Sequence, residues 1–121
     1  YTYTESEIID FKLTDPYYYH LDTCFAPLDK ETAVINPTAF EKKDLDKINK
    51  LFQNIITASP NDNKIFACNL VVVDKTIVVA KGISDKLKDE FKRYGFRTIE
   101  VPTYEFIKGG GSVKCLTLEF Y

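Results

Sequence analysis

Two stretches rich in β-branched residues, 65–73 and 76–80, are separated only by the polar pair at 74–75. Such residues favour strands, and a two-residue polar connection favours an antiparallel hairpin. The first stretch is apolar enough to be a central strand. Ser84 is suited to cap a helix that follows the hairpin, and Gly95 is suited to a left-handed C-terminal cap. The chain is therefore expected to combine paired strands with covering helices.

The first half of the chain shows a similar order. Alternating and aromatic patterns predict strands at 7–13, 17–26 and 32–36. A helix is expected from about Thr38 to about Ala58, with an apolar stripe on one side and charged residues on the other. The order strand-strand-helix then recurs with a weak period of about forty residues. This order predicts a mixed α+β fold.

The end of the chain is expected to return to the sheet. A strand is predicted at 96–101, followed by a turn or short helical segment that carries Glu105 and Phe106 into three glycines. A last strand is predicted at 116–121. The whole chain, 1–121, has a length typical of one domain.

Composition excludes several classes of partner. The net charge of -2, with lysines interleaved among acids, disfavours nucleic acid. No apolar run approaches the roughly 20 residues that span a bilayer, so no membrane partner is expected. The three cysteines form no disulfide framework, and a reducing cytoplasm is the natural location.

Two distant segments carry candidate catalytic groups. His20, the only histidine, lies in the segment 19–25, and Cys115 follows the glycines at 109–111. A base and a sulfur nucleophile beside unusual backbone are typical of covalent catalysis. Glycines also allow backbone amides to turn toward a ligand, which makes Gly110 and Gly111 candidate substrate-binding positions. The alternatives are a flexible loop followed by a buried cysteine, and a histidine that is only structural.

A side-chain period of two places His20, Asp22 and Cys24 on one face of the strand predicted at 17–26. Asp22 could then pair with the imidazolium or accept paired hydrogen bonds from a planar cation. It could also be an ordinary carboxylate at a strand end or turn. Cys24 and Cys68 lack the close spacing of zinc ligands and are expected to be small core residues. The tyrosines at 17–19 are expected to pack between the repeated units of the fold, without a functional role.

Three motifs, HLDTCF, FACNLVVVD and FIKGGGSVKCLTLEF, resemble the C-terminal half of the guanidine-modifying (pentein) superfamily. This superfamily includes dimethylarginine dimethylaminohydrolases, arginine deiminases and amidinotransferases. The resemblance implies that His20 is the general acid/base, that Asp22 holds the substrate guanidinium and that Cys115 is the nucleophile. It also suggests a substrate contact for Asn69. The implied fold is a propeller of five ββαβ units, of which this chain would hold two or three.

The resemblance implies a hydrolase that acts on arginine, methylated arginine or a related guanidino compound through a thiouronium on Cys115. No metal or organic cofactor is required by this chemistry. Alternatives are an amidinotransferase and a non-catalytic remnant or interaction module of the same fold. Further acidic groups would come from an N-terminal half of the same enzyme. The chain begins at Tyr1 and contains no methionine, which suggests a fragment or one half of a split enzyme, and a homodimer remains compatible with the sequence.

Overall fold

Strands and short helices alternate along the computed structural model, which describes residues 6–118 and residue 120. In this described part, six strands form two three-stranded sheets that are accompanied by four α-helices. The predicted mixed α+β class is therefore confirmed. No helix in the same part of the chain has the length and apolar character of a membrane span.

The first sheet is a ββαβ unit. Strand β1 (Phe25–Pro27) runs antiparallel to β2 (Thr32–Ile35), and β2 runs parallel to β3 (Asn54–Thr57). Parallel neighbours need a crossover connection, which helix α1 (Lys42–Leu51) provides. Ile48 faces inward from α1 and is fully buried.

The second sheet repeats this arrangement. Strand β4 (Val71–Val73) runs antiparallel to β5 (Thr76–Ala80), and β5 runs parallel to β6 (Arg97–Val101). Helix α3 (Asp85–Arg93) makes the crossover. Asp74 adopts a positive φ of 56° in the connection between β4 and β5, so the predicted hairpin is confirmed with a shorter first strand. The order β4-β5-β6 makes β5 the central strand, so the expectation that the first strand is central is wrong.

The predicted ends of α3 are also confirmed. The Ser84 hydroxyl accepts a hydrogen bond from the amide of Leu87 at 3.2 Å, and Gly95 has a φ of +90°. Leu87 and Phe91 are buried beneath the helix. These features depend on nearby residues, which explains why the local pattern predicted them.

The helix predicted from Thr38 to Ala58 is wrong at both ends. It begins at Lys42 and ends at Leu51, and the chain then enters β3. Ile56 pairs in register with Val34 of β2, a contact between residues 22 positions apart. The apolar spacing of residues 52–56 also fits a helix, and the parallel pairing decides between the two structures.

The strand predicted at 65–73 begins only at Val71, because a helix and a turn precede it. Ser59 and Asp62 form a reciprocal capping box at the start of α2 (Pro60–Lys64). The Asp62 carboxylate also accepts hydrogen bonds from the amide and the hydroxyl of Ser84, both at 2.7 Å. These bonds connect α2 to the start of α3. The turn that follows α2 contains Phe66 with a positive φ of 55° and leads to Asn69.

The strands predicted at 7–13 and 17–26 are largely absent. Residues 6–12 form no strand, and Leu13 makes only an isolated bridge to Phe40. Asp15 begins a turn by accepting the amide of Tyr17 on its side chain at 2.9 Å. A 3₁₀ turn at Leu21–Thr23 then interrupts the extended backbone, so the predicted alternation of His20, Asp22 and Cys24 on one strand face is wrong.

The last predicted strand, 116–121, is also wrong within the described residues. Leu116 ends a 3₁₀ turn, Lys114–Leu116, and residues 117, 118 and 120 are not in a strand. Residues 119 and 121 lie outside the described part. Helix α4 (Tyr104–Ile107) confirms the short helical segment expected before the glycines.

The larger apolar core lies between the two ββαβ units. It contains Val34 and Ile56 from the first sheet, Ile77 and Val79 from the second, and Phe91 from α3. A second cluster lies on the other side of the first sheet and includes Tyr18, Cys24, Phe40, Ile48 and Phe66. The two clusters hold both sheets in a common framework and leave the turns around residues 20, 69 and 115 at one edge of it.

Candidate active site

A single buried asparagine joins the segment that contains His20 to the segment that contains the glycines and Cys115. Asn69 has no exposed surface, and its side-chain oxygen accepts hydrogen bonds from the amides of Ser112 at 2.8 Å and Cys115 at 3.2 Å. Its side-chain nitrogen donates to the backbone carbonyl of Asp22 at 2.9 Å. The Asn69 carbonyl accepts the amide of Lys114 at 3.2 Å. The backbones at residues 22 and 115 are therefore held together by one side chain.

The turn after α2 delivers Asn69 to this position. The backbone amide of Asn69 donates to the carbonyl of Phe66 at 2.9 Å, and the backbone amide of Ala67 donates to the backbone carbonyl of Asp62 at 3.1 Å. A buried amide with this many partners is stable in a dry interior, because polar groups buried without partners are costly. The Asn69 side chain thus holds together the backbones of the segments that contain Asp22 and Cys115.

The glycine loop contacts its neighbours too closely for a side chain. A Cβ at Gly111 would lie 2.8 Å from Cβ of Cys115 and 3.0 Å from its Sγ. A Cβ at Gly110, whose φ is +96°, would lie 2.7 Å from the hydroxyl of Tyr19. Glycine at both positions therefore lets the loop approach the cysteine and the tyrosine directly.

A hydrogen bond between two buried hydroxyls connects the ends of the segment that contains the glycine loop. Ser112 and Thr103 share a hydrogen bond of 2.7 Å between their side chains, and both residues are buried. Thr103 immediately precedes α4, and Ser112 follows the glycines. The loop is consequently fixed at one end by these hydroxyls and by Asn69.

Cys115 is exposed at the surface of a cleft. The cleft has a volume of about 340 Å³ and is lined by Tyr19, Glu105, Phe106, Leu116 and the glycine loop. The carboxylate of Glu105 also pairs with Lys108 at 3.1 Å. An acid and two aromatic rings around a thiol form a surface that suits a flat cation.

The other two cysteines have a different environment. Cys24 and Cys68 are buried, as predicted, and all three cysteines are free thiols. Burial raises the pKa of Cys24 to about 12, and burial also raises the pKa of Cys68. Both thiols are therefore protonated at neutral pH. Cys115 is the one thiol that a solute can reach.

His20 is exposed and follows Tyr19, a residue that lines the cleft. Its ring lies 4.6 Å from the ring of Tyr19, centroid to centroid, and Tyr19 in turn donates a hydrogen bond to the carbonyl of Gly110 at 3.1 Å. The His20 carbonyl accepts the hydroxyl of Thr23 at 2.6 Å, which begins the 3₁₀ turn. The histidine segment is thus connected to the glycine loop through Tyr19.

Asp22 lies on a neighbouring cavity. This cavity has a volume of about 250 Å³ and is lined by Asp22, Phe25, Lys114 and residues around β4. One carboxylate oxygen of Asp22 is buried and has no hydrogen-bond partner among the described residues. Lys114 lines this cavity and Cys115 lines the cleft, so the two openings meet at one 3₁₀ turn. An unpartnered carboxylate oxygen is the kind of group that a cationic ligand would satisfy.

Tyr19 is the residue of this site that sequence reasoning missed. We expected all three tyrosines at 17–19 to pack between the repeated units without a functional role. Tyr18 belongs to the second apolar cluster, and Tyr17 stacks on Phe66. Tyr19 instead is 53% exposed and lines the cleft of Cys115. Its position next to the only histidine was the available signal.

Comparison with known proteins decides the family. The model described as N,N dimethylarginine dimethylhydrolase, eukaryotic, matches residues 2–121. The chain belongs to this family. The resemblance predicted from the three motifs is therefore confirmed.

Curated relatives agree with this membership of the dimethylarginine dimethylhydrolase family. The N(G),N(G)-dimethylarginine dimethylaminohydrolase of Mycobacterium tuberculosis is 35% identical over 117 residues, which cover 94% of this chain and 37% of that protein. The bifunctional arginine dihydrolase/ornithine cyclodeaminase AgrE of Nostoc is 38% identical over 114 residues, which cover 93% of this chain and 16% of AgrE. The chain thus spans well under half the length of these relatives.

Solved structures show the same relationship for this family member. The N-terminal domain of ArgZ, a cyanobacterial arginine dihydrolase, was solved with its product and superposes with a TM-score of 0.90 at 36% identity. The match covers 94% of this chain and 42% of that domain chain. A variant of the same ArgZ domain, with equal TM-score and identity, was solved covalently bound to a reaction intermediate.

Proposed function

We propose that this chain carries the nucleophile and the general acid/base of a hydrolase that acts on the guanidino group of arginine, methylated arginine or a related compound. The single observation that carries the proposal is the Asn69 side chain, which binds the amide of Cys115 and the carbonyl of Asp22 at once. It brings an accessible thiol and an unpartnered carboxylate to one edge of the fold. The activities for which the mycobacterial and cyanobacterial relatives are named support the substrate class.

The reaction starts with a guanidinium held by Asp22 and by carboxylates of an upstream half. The thiolate of Cys115 forms a bond to the guanidinium carbon, and the electrons of the C=N bond move to nitrogen. The imidazolium of His20 then protonates the departing nitrogen as the C–N bond breaks. An amine leaves, and a thiouronium remains on Cys115.

Water completes the turnover. Neutral His20 takes a proton from a water molecule while its oxygen bonds to the thiouronium carbon. The C–S bond then breaks, the thiolate is restored, and a ureido product leaves. No step of this sequence calls for a metal or an organic cofactor.

Gly110, Gly111 and Asn69 are assigned to substrate binding and to the positioning of the catalytic residues. Gly110 and Gly111 let the loop approach the substrate, and we assign them to the binding surface. Asn69, which is wholly buried, contributes through the Cys115 and Asp22 backbones that it holds. Hydrolysis is our first choice over amidino transfer, because the curated relatives named for an activity on the guanidino group are hydrolases.

The chain is proposed to be the C-terminal part of the complete enzyme fold. Its two ββαβ units would be blades of a larger propeller, and an upstream half would add the missing blades and acidic ligands. The three free thiols fit a reducing cytoplasm. This arrangement predicts that the 121 residues alone have no turnover and gain it when the upstream half is supplied. Turnover by the isolated chain would contradict the need for that half.

Alkylation of the isolated chain separates the enzyme from a non-catalytic remnant. We expect 2-chloroacetamidine, a small cationic amidine, to label Cys115 faster than the neutral chloroacetamide, and arginine to slow the first reagent selectively. Peptide mass mapping identifies the labelled cysteine, and the Cys115→Ala variant is the control. Equal rates for the two reagents and no protection by arginine would indicate a remnant without a guanidinium site.

A further inference from the structure

Tyr19 contacts both the glycine loop and the histidine of the candidate site. Its hydroxyl donates to the carbonyl of Gly110 at 3.1 Å, and its ring lies 4.6 Å from the ring of His20 at an angle of 55°. The hydrogen bond joins residues 91 positions apart in the chain, and the ring contact is with the next residue. One side chain therefore connects the loop that precedes the nucleophile with the imidazole.

The imidazole itself has few other constraints. Among the described residues, none makes a hydrogen bond or ion pair with the side chain of His20, and its aromatic contact is Tyr19. An exposed imidazole samples several rotamers unless a neighbour restricts it. A proton donor must lie within hydrogen-bond reach of the departing nitrogen, so this freedom would reduce its efficiency.

The Tyr19 hydroxyl packs closely against the backbone of Gly110. A Cβ at residue 110 would lie 2.7 Å from the hydroxyl oxygen and 3.1 Å from the ring, so a side chain at this position would force Tyr19 to shift. The half-exposed ring also forms part of the wall of the Cys115 cleft. Tyr19 is thus placed by the loop and presents its ring to His20.

We propose that Tyr19 is a positioning residue, which fastens the glycine loop through its hydroxyl and orients the His20 imidazole toward the Cys115 cleft through its ring. This inference rests on the proposed function, because it assigns His20 the proton transfer. Tyr19 takes no part in bond making. Its effect on the reaction passes through the histidine.

Tyr17 provides a matched control in the same chain. Its hydroxyl also donates to a backbone carbonyl, that of Lys64 at 2.9 Å, and its ring stacks on Phe66. It is 45% exposed, close to the 53% of Tyr19. Tyr17→Phe and Tyr19→Phe therefore remove equivalent hydrogen bonds, and only the second bond touches the glycine loop.

The first test uses the isolated chain. His20 is the only histidine, so its Cε1 proton gives a single assignable NMR signal. We expect Tyr19→Leu to remove the ring-current shift of this signal and Tyr19→Phe to broaden or move it, with no change in Tyr17→Phe. A His20 signal that is identical in the parent chain and both Tyr19 variants would overturn the proposal.

The second test uses the enzyme assembled with its upstream half and compares two leaving groups. In single-turnover measurements with an alkylguanidine substrate, Tyr19→Phe should slow amine release by about ten-fold, since general acid catalysis contributes about 10²–10⁴-fold and the histidine is displaced rather than lost. With the matching S-alkyl isothiourea, whose thiolate departs without protonation, thiol release should slow by about two-fold or less, because His20 activates water only after this step. Equal losses on both substrates, or no difference from Tyr17→Phe, would overturn it.

The two proposals fail in distinguishable ways. If Cys115→Ala retains turnover, the proposed function is wrong whatever Tyr19 does. If Cys115→Ala and His20→Ala are inactive and Tyr19→Phe matches Tyr17→Phe on both substrates, the function stands and the role of Tyr19 is wrong.

Discussion

The side-chain oxygen of Asn69 accepts the backbone amide of Cys115 at 3.2 Å, across 46 positions of sequence. The same side chain donates to the carbonyl of Asp22. The candidate nucleophile is therefore held by a neutral, buried amide that lies at the end of the turn after α2. A wholly buried residue thus fixes the backbone at two candidate site positions.

Replacing Asn69 by aspartate should separate this role from simple stability. Asn69→Asp removes the donor to Asp22 and puts a negative charge beside the Cys115 backbone. We expect a loss of about 1–3 kcal/mol in the free energy of unfolding. We also expect slower alkylation of Cys115 by iodoacetamide at neutral pH, because a nearby anion disfavours the thiolate.

Asn63→Asp is the control for this change. Asn63 is also buried, and its side chain donates to the carbonyl of Ala58 at 3.2 Å, away from the cysteine loop. Chemical denaturation should show a comparable loss of stability, while the alkylation rate of Cys115 stays at the parent value. Equal effects of both variants on that rate would refute a specific role for Asn69.

Gly111→Ala should displace the cysteine. The new Cβ would lie 2.8 Å from Cβ of Cys115, closer than packed carbon atoms tolerate, so the thiol must move. A misplacement near 1 Å costs about 10²-fold in rate, and we expect that order of loss in turnover of the assembled enzyme. Gly95→Ala, at a φ of +90° with no atom near its new Cβ, should cost about 1 kcal/mol in stability and leave turnover unchanged.

The buried thiols should make the protein sensitive to alkali. Burial raises the pKa of Cys24 from 9.0 to about 12, so the native state keeps a proton that the unfolded state releases. Stability is complete below pH 9 and falls as the pH rises toward 12, by about 1.4 kcal/mol per pH unit for each such thiol. Denaturation midpoints between pH 8 and pH 11 measure this slope.

Cys24→Ala tests the assignment of that slope. The variant should be less stable at pH 7 because it loses packing, and its stability should fall less steeply with pH because one retained proton is gone. In the parent chain, mass spectrometry after iodoacetamide at pH 8 should find one label in the native state and three after unfolding. Native labelling of Cys24 or Cys68 would contradict their burial.

Asp44 should contribute to the loss of stability in acid. The amide of Lys12 donates to its carboxylate at 2.9 Å, and this bond, together with Lys47, lowers the pKa of Asp44 below 3.8. A lowered pKa stabilises the native state above the unfolded value, so this contribution is lost as the pH falls below about 4. Asp44→Asn should flatten the acid limb of the stability curve. Asp46 is an exposed residue of α1 whose side chain makes no hydrogen bond or ion pair with described residues. Asp46→Asn should therefore leave the acid dependence of stability unchanged.

Local chemistry made several elements predictable from the sequence. The hairpin around Asp74, the cap at Ser84 and the left-handed Gly95 depend on residues within a few positions of one another. Residues 52–57 were misassigned because their apolar spacing fits a helix as well as a strand, and β2 supplies the deciding partner. The strand predicted at 17–26 failed because the 3₁₀ turn at Leu21–Thr23 interrupts it.

The order of the motifs was enough to identify the family and to nominate His20, Asp22 and Cys115, because reactive groups and glycines are visible in the primary structure. Only the folded chain decided that Asn69 joins their backbones and that Tyr19 faces the cleft while Tyr17 and Tyr18 pack on Phe66. Those outcomes depend on hydrogen bonds and ring contacts between residues up to 91 positions apart. Such contacts arise from how the two ββαβ units pack, and no local pattern encodes them.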